Sequence, residues 1–248
     1  MRLQLLRMMK DKRITKYLKL PFQFDEKRLV ADLESIIENQ WIPHFNKRDY
    51  DGEWKSIALF AKGGDATNIF AFQNDNTAII ETPILNSCSY IKEVIEHFKC
   101  ALLSFRLLRL NVGAKIKPHR DYKLGYEDNT FRIHIPILTN NNVDFNLDGK
   151  RLQMLPGECW YTNVNFTHSV ANNGKTDRVH LVIDGERNAW SDDLFFSLAP
   201  KASFFPVKEE IHSAETLKKI IEELKMSNEP AAKQLISVLQ KNLKKQIK

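Results

Sequence analysis

The spacing of apolar positions changes twice along this chain, and the changes mark out its elements. Behind Asp25, a residue with the short acceptor side chain of an N-cap, Leu29, Leu33, Ile36 and Ile37 recur at helical spacing. That pattern predicts a helix lying on the outside of a sheet. Residues 41–54 are aromatic and polar and read as loop. Two apolar runs, 56–61 and 67–72, flank Gly63-Gly64-Asp65 and predict strands joined by a turn. Pro83 breaks the chain, and Tyr90, Val94, Ile95 and Phe98 mark a short helix before a strand over 104–112.

From residue 106 onward short strands follow closely: 106–112, 130–138, 143–147, 151–155, 158–163 and 178–184. Asp148-Gly149 is a tight hairpin signal between two of them, and Pro156-Gly157 marks another turn. Strands at this spacing without helices between them predict an antiparallel sandwich or barrel rather than βαβ units. Helical spacing returns after residue 206. Leu217, Ile220, Ile221 and Leu224 follow a cap at Ser213, and Leu235, Leu239 and Leu243 follow Asn228-Glu229-Pro230. The expectation is one β domain over residues 1–205, carrying a helical leader at 1–20, with a small helical region over 206–248 packed on it. An oligomer contact is the alternative role for that region.

Charge changes the picture little. The formal net charge is +6, but residues 1–20 hold seven Lys or Arg against Asp11 alone, so that end supplies the whole excess. The remainder has no basic stripe interleaved with aromatics, which argues against a nucleic-acid partner. Cys88, Cys100 and Cys159 form no short-spaced pair, so neither a zinc knuckle nor a dithiol redox site is predicted. No apolar run approaches a membrane span, and the basic start lacks the apolar core of a signal peptide. A cytoplasmic protein is expected, with homo-oligomerisation left open.

The chemistry concentrates in residues 106–184. His119 and Asp121 are two apart, His168 lies 47 residues beyond Asp121, and Arg178 follows ten residues later. If His119 and Asp121 share a strand, both project to one face. Two His and one carboxylate on one face leave further coordination positions open, as non-haem Fe(II) oxygenases require. A dicarboxylate keto acid chelating the iron would leave its far carboxylate in a dry pocket, where the guanidinium of Arg178 meets it bidentately. Arg132 and His134 alternate on one strand, as do Arg178 and His180 on another. Arg132 or His134 lines the co-substrate cavity, or one of each pair is an ordinary strand residue with a buried partner. His180 competes with His168 as distal ligand; the polar turn 163–167 favours His168.

Several segments, RLLRL…G…PHRDY, FRIHIPILTN, GECWY, THSVAN, TDRVHLVID and NAW, resemble the aspartyl/asparaginyl β-hydroxylase domain family, in particular its bacterial members that include free-proline cis-hydroxylases. The resemblance covers roughly residues 20–200. It implies a mainly β, double-stranded β-helix (jelly-roll) fold and an Fe(II)- and 2-oxoglutarate-dependent dioxygenase using O₂, with ascorbate as a supporting reductant. By position it implies His119, Asp121 and His168 as iron ligands, Arg178 on the far carboxylate of 2-oxoglutarate, and Arg132 and His134 as an RxH pair near the co-substrate. Animal members lack the carboxylate of the HxD that Asp121 supplies here. They carry a serine where this chain has Leu108, so that contact is absent or is replaced by Arg109.

The expected activity is hydroxylation of a free amino acid or small derivative. The alternatives are a peptide or protein side chain as substrate, or a non-catalytic metal-binding jelly roll. Trp160, Tyr161 and residues 54–72 either wall the substrate pocket or belong to the core.

Overall fold

A computed structural model describes residues 14–70, 77–205 and 214–226, together with 236–237, 239–240 and 243–244. The expectations for residues 1–13, for 71–72, for Ser213 as a cap and for Leu235 lie outside the described residues. The chain divides into two units, Met1–Pro206 and Val207–Lys248. The second contains helix Ala214–Lys225, in which Leu217 and Ile221 are buried.

The first unit opens with strands β1 (Tyr17–Gln23), β2 (Ile42–Pro43), β3 (Tyr50–Asp51), β4 (Trp54–Lys62) and β5 (Ile79–Glu81). Then come β6 (Leu102–Leu110), β7 (Lys115–His119), β8 (Thr130–Leu138) and β9 (Val143–Leu147). The series closes with β10 (Lys150–Leu152), β11 (Glu158–Thr162), β12 (His168–Asn172) and β13 (Arg178–Glu186). The larger sheet runs β1-β11-β8-β13-β6-β4-β2, with β5 on β4; the smaller runs β10-β9-β12-β7-β3. From β6 the chain alternates between them, with β6, β8, β11 and β13 in one sheet and β7, β9, β10 and β12 in the other. Every pairing is antiparallel. This is the double-stranded β-helix, a mainly β fold. Asp148 and Gly149 both have positive φ, at 49° and 79°, and close the β9–β10 hairpin.

Helices α1 (Glu26–Glu34), α2 (Ser89–Ile95) and α3 (Ala189–Leu198) belong to the same unit. Asp25 caps α1 by accepting from the Arg28 amide at 3.1 Å. Leu29 of α1, Ile91 and Val94 of α2 and Phe195 of α3 bury against Phe105, Leu107, Ile133, Leu181 and Ile183 on the outer face of the larger sheet. The other face of that sheet meets the smaller one through Leu108, Leu110, Ile116, Phe145, Val170 and Val182. Both faces of β13 are therefore covered, and its burial is continuous from Arg178 to Gly185. Alternation still sorts its residues. Val179, Leu181 and Ile183 face the helices, whereas Arg178, His180, Val182 and Asp184 face the space between the sheets.

Residues 41–54, expected as loop, carry the two-residue strands β2 and β3, and two further local expectations are overturned. Residues 17–20 are strand, not helix: Leu18, Leu20 and Phe22 alternate into the outer core, and β1 pairs with β11 along the sheet edge. Pro21 is tolerated there because an edge strand need not donate on both sides. Residues 67–70 form no strand, because Asp65 Oδ1 accepts from the amide and the hydroxyl of Thr67 at 2.8 and 2.7 Å and turns the chain away. The partner of β4 is instead β5, with Phe60 opposite Glu81.

Candidate active site

His168 lies directly opposite His119 across the β12–β7 pair, and that register brings the imidazoles together with centroids 4.2 Å apart and planes inclined at 51°. Each ring has Nδ1 against a main-chain carbonyl, His119 at 2.7 Å from Lys117 O and His168 at 3.1 Å from Phe166 O. A carbonyl only accepts, so Nδ1 is the donor in both rings, and in the neutral tautomer this sets, Nε2 is the nitrogen with the free lone pair. Burial, followed by the neighbouring His119, lowers the pKa of His168 to about 4, so it is neutral near pH 7.

Asp121 joins them from outside the strand. β7 ends at His119, and Asp121 sits two residues further on, its amide donating to Val164 O at 2.9 Å. Its delivery to the site therefore rests on the loop and not on strand alternation, a correction to the geometry expected from HxD. His119 Nε2 lies 3.7 Å from Oδ1 of Asp121, and His168 Nε2 lies 4.0 Å from Oδ2. One donor atom from each of the three residues falls within 4.8 Å of the others, close enough for one ion to reach all three. Burial opposes the charge on Asp121, but Arg132, then His168 and His119, hold its carboxyl below the usual range.

Behind Asp121 is a buried ionic array that the spacing of residues did not reveal. Arg132 donates through Nη1 to Asp121 Oδ2, and through Nε and Nη2 to Asp184 at 2.7 and 3.0 Å. Arg106 Nη2 reaches the same Asp184 at 3.0 Å. Burial works against every one of these charges. Asp184 is nevertheless held below the carboxylate range by Arg132 and Arg106, and Arg132 is raised by Asp184 and Asp121. Arg106 has a share of one carboxylate with Arg132 beside it, and burial lowers it. Arg132 thus braces Asp121, with all three of its nitrogens engaged on carboxylates.

Arg106, Arg132, His119 and Asp121 line a cavity of about 330 Å³. Leu108, Trp54 and His44 form its walls, with the rings of His44 and Trp54 stacked at 3.5 Å. Phe45 and Phe70, 4.8 Å apart and exposed, line it as well, as does exposed Tyr122. Of the aromatic residues proposed as walls, Trp54 and Phe70 do line the cavity. Tyr161 is fully buried in the outer core, and Trp160 packs beside the second core with Nε1 on Glu158.

Arg178 lies on the same interior face of β13 as Asp184, six residues away, and is 2% exposed. Its Nη2 meets His180 Nδ1 at 2.8 Å, its Nε has no hydrogen-bond partner, and no carboxylate among the described residues pairs with it. Burial alone pushes its pKa down to about 9. His134 is buried nearby with both ring nitrogens unpartnered, and burial together with Arg178 keeps it neutral. His180 accepts from Arg178 through Nδ1 and stands outside the His119–Asp121–His168 group. Arg109, one of two alternatives for the contact missing at Leu108, the other being its absence, points to the opposite face. It stacks on Trp41 at 4.4 Å and ion-pairs with Glu38.

Comparison with known proteins places these residues in a wider group. Residues 23–188 match the family model of aspartyl/asparaginyl beta-hydroxylase. The L-proline cis-4-hydroxylase of Rhizobium meliloti (strain 1021) is 30% identical over 173 residues, covering 68% of this chain and 60% of that protein. L-proline cis-3-hydroxylase 2 of a Streptomyces species is 25% identical over 166 residues, covering 65% of this chain and 57% of that protein. The chain thus spans about three-fifths of the length of the curated relatives it matches. Among solved structures, a Pseudomonas putida prolyl-4-hydroxylase superposes with a TM-score of 0.44 at 10% identity, over 70% of this chain and 93% of that one. No helix among the described residues is long and apolar enough to cross a membrane.

Proposed function

This chain belongs to the aspartyl/asparaginyl beta-hydroxylase family, and on that premise we propose that it is an Fe(II)- and 2-oxoglutarate-dependent dioxygenase acting on a free amino acid or small amino-acid derivative. One observation carries the reading: a two-His, one-carboxylate set shares the interior between the sheets with a buried guanidinium that has no counter-ion among the described residues. Three such donors around one ion suit non-haem iron and leave positions open. A lone buried cation calls for an anion delivered from solution. In this reading His119, Asp121 and His168 hold the iron, and Arg178 takes the far carboxylate of 2-oxoglutarate. His134, with two nitrogens unpartnered among the described residues, would offer the keto acid a hydrogen bond.

The bound iron would supply O₂ activation, in the overall conversion of 2-oxoglutarate, O₂ and R–H to succinate, CO₂ and R–OH. The protein's own residues orient the substrate carbon and exclude water. Charge in the cavity favours a substrate carrying one carboxylate. Arg106 and Arg132 are balanced by Asp184 and Asp121. Once a divalent cation draws on Asp121, one positive charge is left over beside the cavity, and a carboxylate neutralises it. The relatives are named for L-proline, which has that charge. Exposed Phe45, Phe70 and Tyr122 along the cavity favour a second reading, in which a peptide side chain enters and the rings contact its flanks.

The test is a succinate-release screen with Fe(II), ascorbate and 2-oxoglutarate, first against free amino acids and then against short peptides. Mass spectrometry then looks for the gain of one oxygen. Turnover on free amino acids that disappears in His119→Ala and Asp121→Ala is the expected result. Undiminished turnover in both variants rules out the iron site, and oxygen gain on peptides alone selects the second reading.

A further inference from the structure

Asp184 is fully buried on β13, and the proposed chemistry gives it no direct contact with iron, co-substrate or substrate. Its position is fixed from both sides by register. It stands opposite Ser104 on β6 and opposite Arg132 on β8. Its Oδ2 accepts from Ser104 Oγ at 2.7 Å and from Arg106 Nη2 and Arg132 Nη2 at 3.0 Å each, while Oδ1 accepts from Arg132 Nε at 2.7 Å. Arg132 is therefore gripped along one edge of its guanidinium. That group is planar and rigid, so fixing Nε and Nη2 fixes the direction of Nη1 as well. Nη1 is the nitrogen that meets Asp121 Oδ2.

We infer that Asp184 is the positioning residue for the metal-binding carboxylate. Acting through Arg132, it commits Oδ2 of Asp121 to a hydrogen bond. That leaves Oδ1, the oxygen 3.7 Å from His119 Nε2, to meet the ion. Asp121 needs this outside hold because it sits on a loop beyond β7, where no strand ladder fixes its side chain. Partners of metal-ligating carboxylates set ligand orientation, and their loss typically lowers metal affinity by about 10–100-fold. The inference rests on the proposed reading that His119, Asp121 and His168 bind a divalent metal. A simpler role for Asp184, neutralising Arg106 and Arg132, would lower stability without changing metal affinity in the folded protein.

The experiment is a titration of the full-length chain with Mn(II) alone, without 2-oxoglutarate or substrate. Free Mn(II) is read from its solution EPR signal, and folding is checked by circular dichroism. In Asp184→Asn, which keeps the shape but loses the charge and one acceptor, the Mn(II) Kd is expected to rise about 10-fold or more. Arg132→Lys keeps the charge but cannot fork between two carboxylates, and a rise of the same order is expected. It also keeps the test open if Asp184→Asn does not fold. Ser104→Ala removes one hydrogen bond to Asp184 without loosening the fork, and its Kd should stay within about twofold of the unmodified protein. If the unmodified chain binds Mn(II) and every folded variant binds it equally well, the positioning role is wrong and the iron site stands. If the unmodified chain does not bind Mn(II), the inference fails together with the reading beneath it.

Discussion

Replacing Arg178 by Met is expected to make the protein more stable and less able to bind its co-substrate. Arg178 is 2% exposed, meets no carboxylate among the described residues, and has a pKa displaced by burial from 12.5 to about 9. At about 1.36 kcal/mol per pKa unit, holding that charge in place costs roughly 5 kcal/mol. Methionine has comparable reach and no charge. It leaves His180 Nδ1 without its donor at 2.8 Å, a loss of about 1–3 kcal/mol. The balance favours the variant by roughly 2 kcal/mol or more, which for a chain of this size raises Tm by about 4–8 °C. Binding should move the other way. Losing one partner of a buried charge pair costs about 2–5 kcal/mol, or roughly 30- to several-thousand-fold in the Kd for 2-oxoglutarate. Thermal melts of both proteins, with Mn(II) and with or without 2-oxoglutarate, read both effects at once. The native protein should start lower and rise with the keto acid, whereas the variant should start higher and stay put. A variant that melts lower and still responds to 2-oxoglutarate would falsify the account of Arg178 as a cation awaiting its anion.

Acid should destabilise the fold through its buried histidines. Burial holds His44 at about 3 and His168 at about 4, and keeps His134 and His180 well below the ordinary value of 6.5. The unfolded chain takes up protons from about pH 6.5 downward while the native state does not, so stability is full above that value and falls as pH drops towards 4. His44→Gln should flatten the fall in urea midpoints over that window, and an unchanged slope would remove His44 from the account. Arg109→Ala should leave the apparent KM for 2-oxoglutarate unaltered, because the side chain lies on Trp41 on the far face of β6; a several-fold rise would restore it to the co-substrate site. Asp25→Ala should cost about 1 kcal/mol of stability in denaturant melts through loss of the α1 cap, with no effect on metal affinity.

Much of this molecule is legible in the chain alone. Val143–Leu147 and Thr130–Leu138 are strands at the expected bounds because turn signals flank them, and Asp148-Gly149 closes the hairpin its composition predicts. Residues 17–20 misled because Leu and basic residues over a short stretch fit either period, and only the free edge of β11 decides between them. The orientation of β6 was hidden for a different reason. Both faces of the larger sheet are buried, so inward and outward positions both carry apolar and charged residues. Arg106 and Leu108 face the cavity while Leu107 and Arg109 face the outer layer, and no polarity pattern separates them.

The donors and their rough places can be read along the chain: two imidazoles, a carboxylate two residues from the first, and an arginine beyond the second. The short antiparallel strands that carry them can be read there too, since side-chain alternation and turn chemistry are local properties. Only the packed sheets bring Asp184 onto Arg132, set Arg132 against Oδ2 of Asp121, and leave Arg178 without a carboxylate among the described residues. Those relations depend on the register between strands whose paired residues are 52 and 80 positions apart. Register is settled by how two faces of a sheet bury at once, and no single stretch of the chain contains that information.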